Sequence, residues 1–145
     1  LVIDASVALK WFLPNEPDAG IALGIVREGG FLIAPDLVIA EVCNAAWKSA
    51  RLGLITGIQV SEIAAELSRF FGAIVATAPL AHRAVAIAGQ LDHPVYDALY
   101  IALAERDNAQ LITADSRLVG KVSGTAWESR TTLLGRYKPV LQSGP

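Results

Sequence analysis

The sequence predicts an α/β fold: a three-layer α/β/α sandwich around a central, mainly parallel sheet of about five strands. Three observations carry this. Short apolar runs alternate with longer segments of helical periodicity. The intervening segments are long enough for the crossovers that parallel strands need. Acidic residues follow closely on two of the runs, where open α/β sheets build their sites.

In order along the chain, Leu1-Val2-Ile3 reads as the end of a buried strand. Ala5 to Leu13 predicts a short helix with Val7, Ala8, Trp11 and Phe12 on one stripe, stopped by Pro14. Pro17 to Glu28 predicts a second helix, with proline in its first turn and Gly29-Gly30 after its end. Phe31 to Ala34 is a second strand. Asp36 is placed to cap a long helix that runs to about Leu52 and closes at Gly53. Thr56 opens a helix through about Phe71, and Ala73 to Ala76 is a third strand. Leu80 to Leu91 is helical, and Pro94 precedes a helix from Val95 to Asp107. Gln110 to Thr113 is a fourth strand, followed by a short helix from about Ser116. Thr125 to Thr132 is read as a fifth strand and 138–145 as a loose tail. No linker or repeat divides the chain, so residues 1–145 are expected to form one domain.

Composition narrows the function classes. Hydrophobic residues make up 53% and charged residues 18%, an apolar skew that predicts a subunit or partner interface. The longest charge-free stretch, Phe70 to Ala81, contains Gly72 and Pro79 and is short of the roughly 20 residues a membrane span needs. Net charge is −2, so there is no global basic signature for nucleic acid, although bound divalent cations would reverse the local sign in an acidic cleft. Cys43 is the only cysteine, which excludes an internal disulfide and a cysteine-based zinc site. With no signal-peptide pattern, a cytoplasmic setting is expected. The chain begins at Leu1 and contains no methionine, which suggests that the native start lies upstream.

Four acids stand out. Asp4 directly follows the first strand and Asp115 closely follows the fourth, so both project from the same sheet edge. Glu41 lies on a helix among Leu37, Val38, Asn44 and Ala45, an apolar face on which a lone carboxylate is costly unless paired or metal-bound. Asp97 opens a helix, where the dipole favours an anion, with Tyr100 and Ile101 one turn on. Each acid alone has an ordinary reading: Asp4 and Asp115 as helix caps, Asp97 as a dipole partner. Taken jointly, the four placements favour a metal site. Carboxylates within about 4 to 6 Å repel unless a cation sits between them. Oxygen-only ligands suit magnesium or manganese, which can activate water for attack on a phosphodiester.

The segments Asp4-Ala-Ser, Glu41-Val-Cys-Asn, Tyr96-Asp-Ala-Leu-Tyr-Ile-Ala-Leu-Ala and Thr113-Ala-Asp resemble the PIN-domain nucleases, and within them the VapC toxins of toxin–antitoxin pairs. The resemblance runs from Leu1 to about Trp127. It implies a five-stranded parallel sheet and magnesium-dependent cleavage of single-stranded or loop RNA. It also implies a cognate antitoxin protein that blocks the site. Position by position, it assigns Asp4 and Asp97 as primary metal ligands, Glu41 as ligand or water activator, and Asp115 as an auxiliary ligand. Ser6, Asn44 and Thr113 match positions that support the cluster by hydrogen bonds. A homodimer is expected from the apolar excess and this likeness.

Other residues are given plainer readings. Lys10, Lys48, Arg51 and Arg117 are candidate RNA backbone contacts, although each is more often simply a solvated charge. His82 and His93 read as surface or turn histidines and Cys43 as a small core residue. Trp11, Phe12 and Trp47 read as core, or in part as a groove for an antitoxin helix. Two competing functions are a PIN-like binding module without turnover and a small metal-dependent phosphatase. The phosphatase would need a second acid two residues after Asp4, where Ser6 stands.

Overall fold

The computed structural model describes residues 1–138. Five strands form one sheet: β1 (Val2–Ile3), β2 (Ile33–Pro35), β3 (Ala73–Val75), β4 (Leu111–Thr113) and β5 (Thr131–Leu133). Their order is β3-β2-β1-β4-β5, and every pairing is parallel. Val2 faces Ile33 on one side and Leu111 on the other. Val2, Ile3, Leu111 and Ile112 are fully buried. Strands covered on both faces have no solvent side, so they read as continuous apolar runs rather than alternating ones.

The helices are α1 (Ala5–Ala8), α2 (Ala19–Arg27), α3 (Leu37–Arg51), α4 (Gly57–Glu66), α5 (Ala81–Leu91), α6 (Val95–Arg106) and α7 (Ser116–Val122). Right-handed crossovers place the β1–β2 and β2–β3 connections on one face and those leading to β4 and β5 on the other. In agreement, α1 and α3 pack together and α3 lies against β2, while α5 packs on α6 and α6 on β1, β2 and β4. This is the α/β/α sandwich the sequence predicts. Every residue of α6 from Ala98 to Ala104 is buried. A helix apolar all round belongs in the interior rather than on a surface.

Several boundaries differ from expectation. The first helix stops at Ala8 and tightens into a 3-10 turn, Leu9–Trp11. Trp11 turns inward there: its indole N–H donates to the Ala22 carbonyl at 3.0 Å, and its ring stacks on Phe70 with centroids 5.1 Å apart. The second helix starts at Ala19 rather than Pro17, because Asp18 takes a left-handed conformation with φ 61°. Asp36 precedes α3 but does not cap it; its carboxylate accepts from the Thr77 N–H at 3.2 Å and so ties β2 to the end of β3. The helix opened by Thr56 ends at Glu66 and continues as a 3-10 turn, Leu67–Phe70. The fifth strand keeps only Thr131–Leu133. Upstream of it Trp127 is buried, with its indole N–H donating to Glu105 at 2.8 Å, which draws that segment onto α6 and out of the sheet. The tail expected over 138–145 lies, beyond Lys138, outside the described residues.

Candidate active site

The chain leaves β1 toward β2 and β3 on one side, then returns to β4 and β5 on the other. The sheet's switch point is therefore between β1 and β4, the position beyond the carboxyl ends of the strands at which open α/β sheets bind ligands. Asp4 directly follows β1 and Asp115 stands two residues past β4. Since the strands are parallel, α3 begins at this edge and α6, running back toward β4, has its first turn there. Glu41 and Asp97 come from these two helix ends.

Asp4 is only 6% exposed. Its Oδ2 accepts from Ser6 Oγ and from Thr113 Oγ1, each at 2.6 Å. Ser6 and Thr113 are themselves fixed by the backbone: the Ala114 N–H donates to Ser6 Oγ at 2.9 Å and the Asp115 N–H to Thr113 Oγ1 at 3.0 Å. This lattice knits the ends of β1 and β4 together. Burial pushes the Asp4 carboxyl above its ordinary pKa; the two hydroxyls oppose that shift and the Asp97 charge adds to it.

Glu41 is half-buried, and its Oε1 accepts from the Tyr100 hydroxyl of α6 at 2.7 Å. Burial also raises its pKa, Tyr100 opposes, and the charges of Asp4 and Asp97 raise it further. Tyr100 has no exposed surface, and burial together with the Asp4 and Glu41 charges holds its phenol far above the ordinary range. Asp97 lies in the first turn of α6, and its Oδ2 is 2.6 Å from His93 Nε2. Asp4, Glu41 and Asp97 thus form one electrostatic group contributed by a strand end and two helices.

Asp115 takes up its ordinary reading: Oδ1 caps α7, accepting from the Arg117 N–H at 2.8 Å and the Leu118 N–H at 3.4 Å. Arg117 is exposed and lies 3.7 Å from the same carboxylate. Asn44 is exposed and, among the described residues, makes no side-chain hydrogen bond; Glu41 is oriented by Tyr100 instead. Lys10 is largely shielded and lies 3.7 Å from the Glu16 carboxylate. Lys48 is exposed beside Trp47, Arg51 and Leu52. Trp47 is 49% exposed, which corrects the core reading, and the Arg51 guanidinium lies over its ring at 5.2 Å. Cys43 is half-buried and His82 is exposed.

The turn reading of His93 is incomplete. The residue is in the turn between α5 and α6, but its ring is directed at Asp97. The signal was its spacing: His93 stands four residues before Asp97, one turn of helix away.

Among the described residues, no three acidic, histidine or cysteine side chains converge into a ready-made metal cage. Magnesium does not require one, since it is commonly held by one or two carboxylates and several waters. The donor set fits such an ion. It is all oxygen, and burial makes Asp4 and Glu41 costly to ionise without a counter-charge. The side-chain hydrogen bonds of each engage one oxygen, Asp4 Oδ2, Glu41 Oε1 and Asp97 Oδ2, so the other oxygen of each has no side-chain donor among the described residues.

Comparison with known proteins identifies the family and agrees with the fold. A PIN domain family model matches residues 1–122. The chain is 37% identical over 123 residues to ribonuclease VapC3 of Pyrobaculum aerophilum, covering 83% of this chain and 93% of that protein. It is similar to the crystal structure of PAE2754 from Pyrobaculum aerophilum: TM-score 0.66, 26% identity, 86% of this chain and 80% of that one. A toxin–antitoxin complex from Klebsiella pneumoniae matches with TM-score 0.65 and 20% identity over 92% of this chain and 96% of that one, a likeness of fold.

Proposed function

Since this chain belongs to the PIN domain family and is of the VapC type, we propose that it is a magnesium-dependent endoribonuclease, the toxin of a toxin–antitoxin pair. The observation that carries this reading is the grouping of Asp4, Glu41 and Asp97 at the β1–β4 switch point, with Asp4 buried and its ionisation opposed. Single-stranded or loop RNA is the substrate class, because a phosphodiester must reach an open strand edge.

Asp4 and Asp97 would hold the cation, with Glu41 as third ligand or water activator. Bound there, magnesium would supply polarisation of the scissile phosphate and a lowered pKa for the attacking water; manganese would substitute. Ser6 and Thr113 keep Asp4 Oδ2 engaged, which orients the carboxylate. Tyr100 does the same for Glu41 Oε1, leaving Oε2 to take a proton from water. Asp115 is auxiliary, with Oδ1 committed to α7; the exposed Arg117, 3.7 Å from that carboxylate, would meet a phosphate of the RNA backbone. Lys48 is a second candidate contact to the RNA backbone.

An antitoxin protein and a second copy of the chain are the expected partners. A groove lined by Phe12, Leu13, Ile55 and Ile63 together with the polar Gln59, Glu62 and Glu66 supports a docking helix that is apolar on one face and polar or basic beside it. Exposed Trp47, Leu52, Leu54 and Ile58 support association more generally. Sequencing of RNA ends after brief exposure tests the reading. New ends are expected with wild type and magnesium, and none with chelator or with Asp4→Asn. Equal cleavage by Asp4→Asn would overturn it.

A further inference from the structure

We propose that His93 is a positioning residue for the metal site, holding Asp97 so that one carboxylate oxygen stays turned to the cation. This rests on the nuclease reading above. His93 Nε2 is 2.6 Å from Asp97 Oδ2, and an ionised carboxylate can only accept, so the ring donates its Nε2–H. The His93 side chain is largely shielded, at 13% exposure.

The contact completes a pattern. Asp4 is held through Oδ2 by two hydroxyls and Glu41 through Oε1 by the Tyr100 hydroxyl. Asp97 has no hydroxyl partner among the described residues; His93 fills that place. Partners of this kind set the rotamer of a ligand and its basicity, and losing one commonly costs ten- to a hundredfold in metal affinity (about that range).

The turn that carries His93 is built to hold it still. Asp92 adopts a left-handed conformation at φ 47°, and the His93 N–H donates to the Ala88 carbonyl at 3.2 Å. Pro94 restricts His93 to extended backbone and starts α6 at the next residue. Lys121 of α7 donates to the Asp92 carbonyl at 3.0 Å, so the turn is tied to the helix that Asp115 caps. An imidazole on such a turn is placed before any ligand arrives.

The test titrates manganese calorimetrically into wild type, His93→Ala, His93→Gln and Asp97→Asn without RNA, with thermal melts of each. RNA cleavage is then measured at saturating metal. His93→Ala is expected to bind manganese about tenfold more weakly while melting close to wild type. His93→Gln, whose amide can donate from a similar position, is expected to recover most of the affinity and the cleavage. Wild-type affinity in His93→Ala, with Asp97→Asn deficient, overturns the positioning role and leaves the nuclease reading intact. Wild-type affinity in Asp97→Asn overturns the metal assignment itself. Should His93→Ala fail to fold, His93→Gln decides. If it folds and binds but does not cleave, His93 transfers a proton rather than positioning Asp97.

Discussion

At the scale of single residues, Asp4 sets folding against function. Its folded pKa lies above its unfolded one. The folded chain therefore binds a proton more tightly than the unfolded chain, and stability falls as pH rises from the unfolded pKa through the folded one. At neutral pH the ionised carboxylate opposes folding of the metal-free protein. Asp4→Asn should raise the metal-free melting temperature by a few degrees, at about 2–4 °C per kcal/mol, while abolishing cleavage. Scanning calorimetry in chelator checks the first part, and an unchanged or lowered melt would contradict it. Tyr100→Phe removes the donor to Glu41 Oε1 and should lower cleavage about tenfold with little change in fold. Cleavage at the wild-type rate would show that Glu41 needs no such support. The four acids themselves were legible in the sequence, because two follow apolar runs and two interrupt apolar helices. Of their partners, Ser6 and Thr113 were legible only through the family resemblance, whereas Glu41–Tyr100 joins residues far apart in the chain, and no local pattern encodes such a pairing.

At the scale of elements, α4 and α6 differ in what holds them. The Thr56 side chain accepts from the Gln59 N–H at 3.2 Å while Gln59 Oε1 accepts from the Thr56 N–H at 2.8 Å, a reciprocal capping box. Thr56→Ala should cost about 1 kcal/mol, read as a lower thermal midpoint. The C-terminal end of α6 is fastened by Glu105, which accepts from Arg83 Nε at 2.7 Å and from the Trp127 indole. The Arg83 hydrogen bond first, then Trp127, holds its pKa below the usual carboxylate range. The sign is opposite to that of Asp4: this stabilisation is present above the unfolded pKa and lost as pH falls through the folded value. Glu105→Gln should melt below wild type at neutral pH by no more than about 1 kcal/mol, given solvent screening. The gap should close in melts at strongly acidic pH; a gap independent of pH would mean the loss is one of packing.

At the scale of the whole molecule, the apolar excess of the composition is only partly absorbed by the core. Trp47, Leu52, Leu54 and Ile58 remain exposed around the α3–α4 connection. Light scattering at micromolar concentration should return twice the chain mass, and the mass of one chain would refute the dimer. The sheet order matters more for function. With β1 between β2 and β4, Asp4 is placed at the centre of the carboxyl edge, within reach of helices from both layers.

The sequence by itself determined the alternation of strands and helices, the buried sheet and the four acids, because each is written in local periodicity, turn chemistry or the cost of a charge in an apolar run. Only the tertiary structure decided which oxygen each acid presents and what holds it. It bound Asp115 to α7, left Asn44 in solvent, brought Tyr100 to Glu41 and turned His93 onto Asp97. Hydrogen bonds of this kind depend on side-chain directions to within about an ångström, and those directions are set by packing between segments distant in the chain.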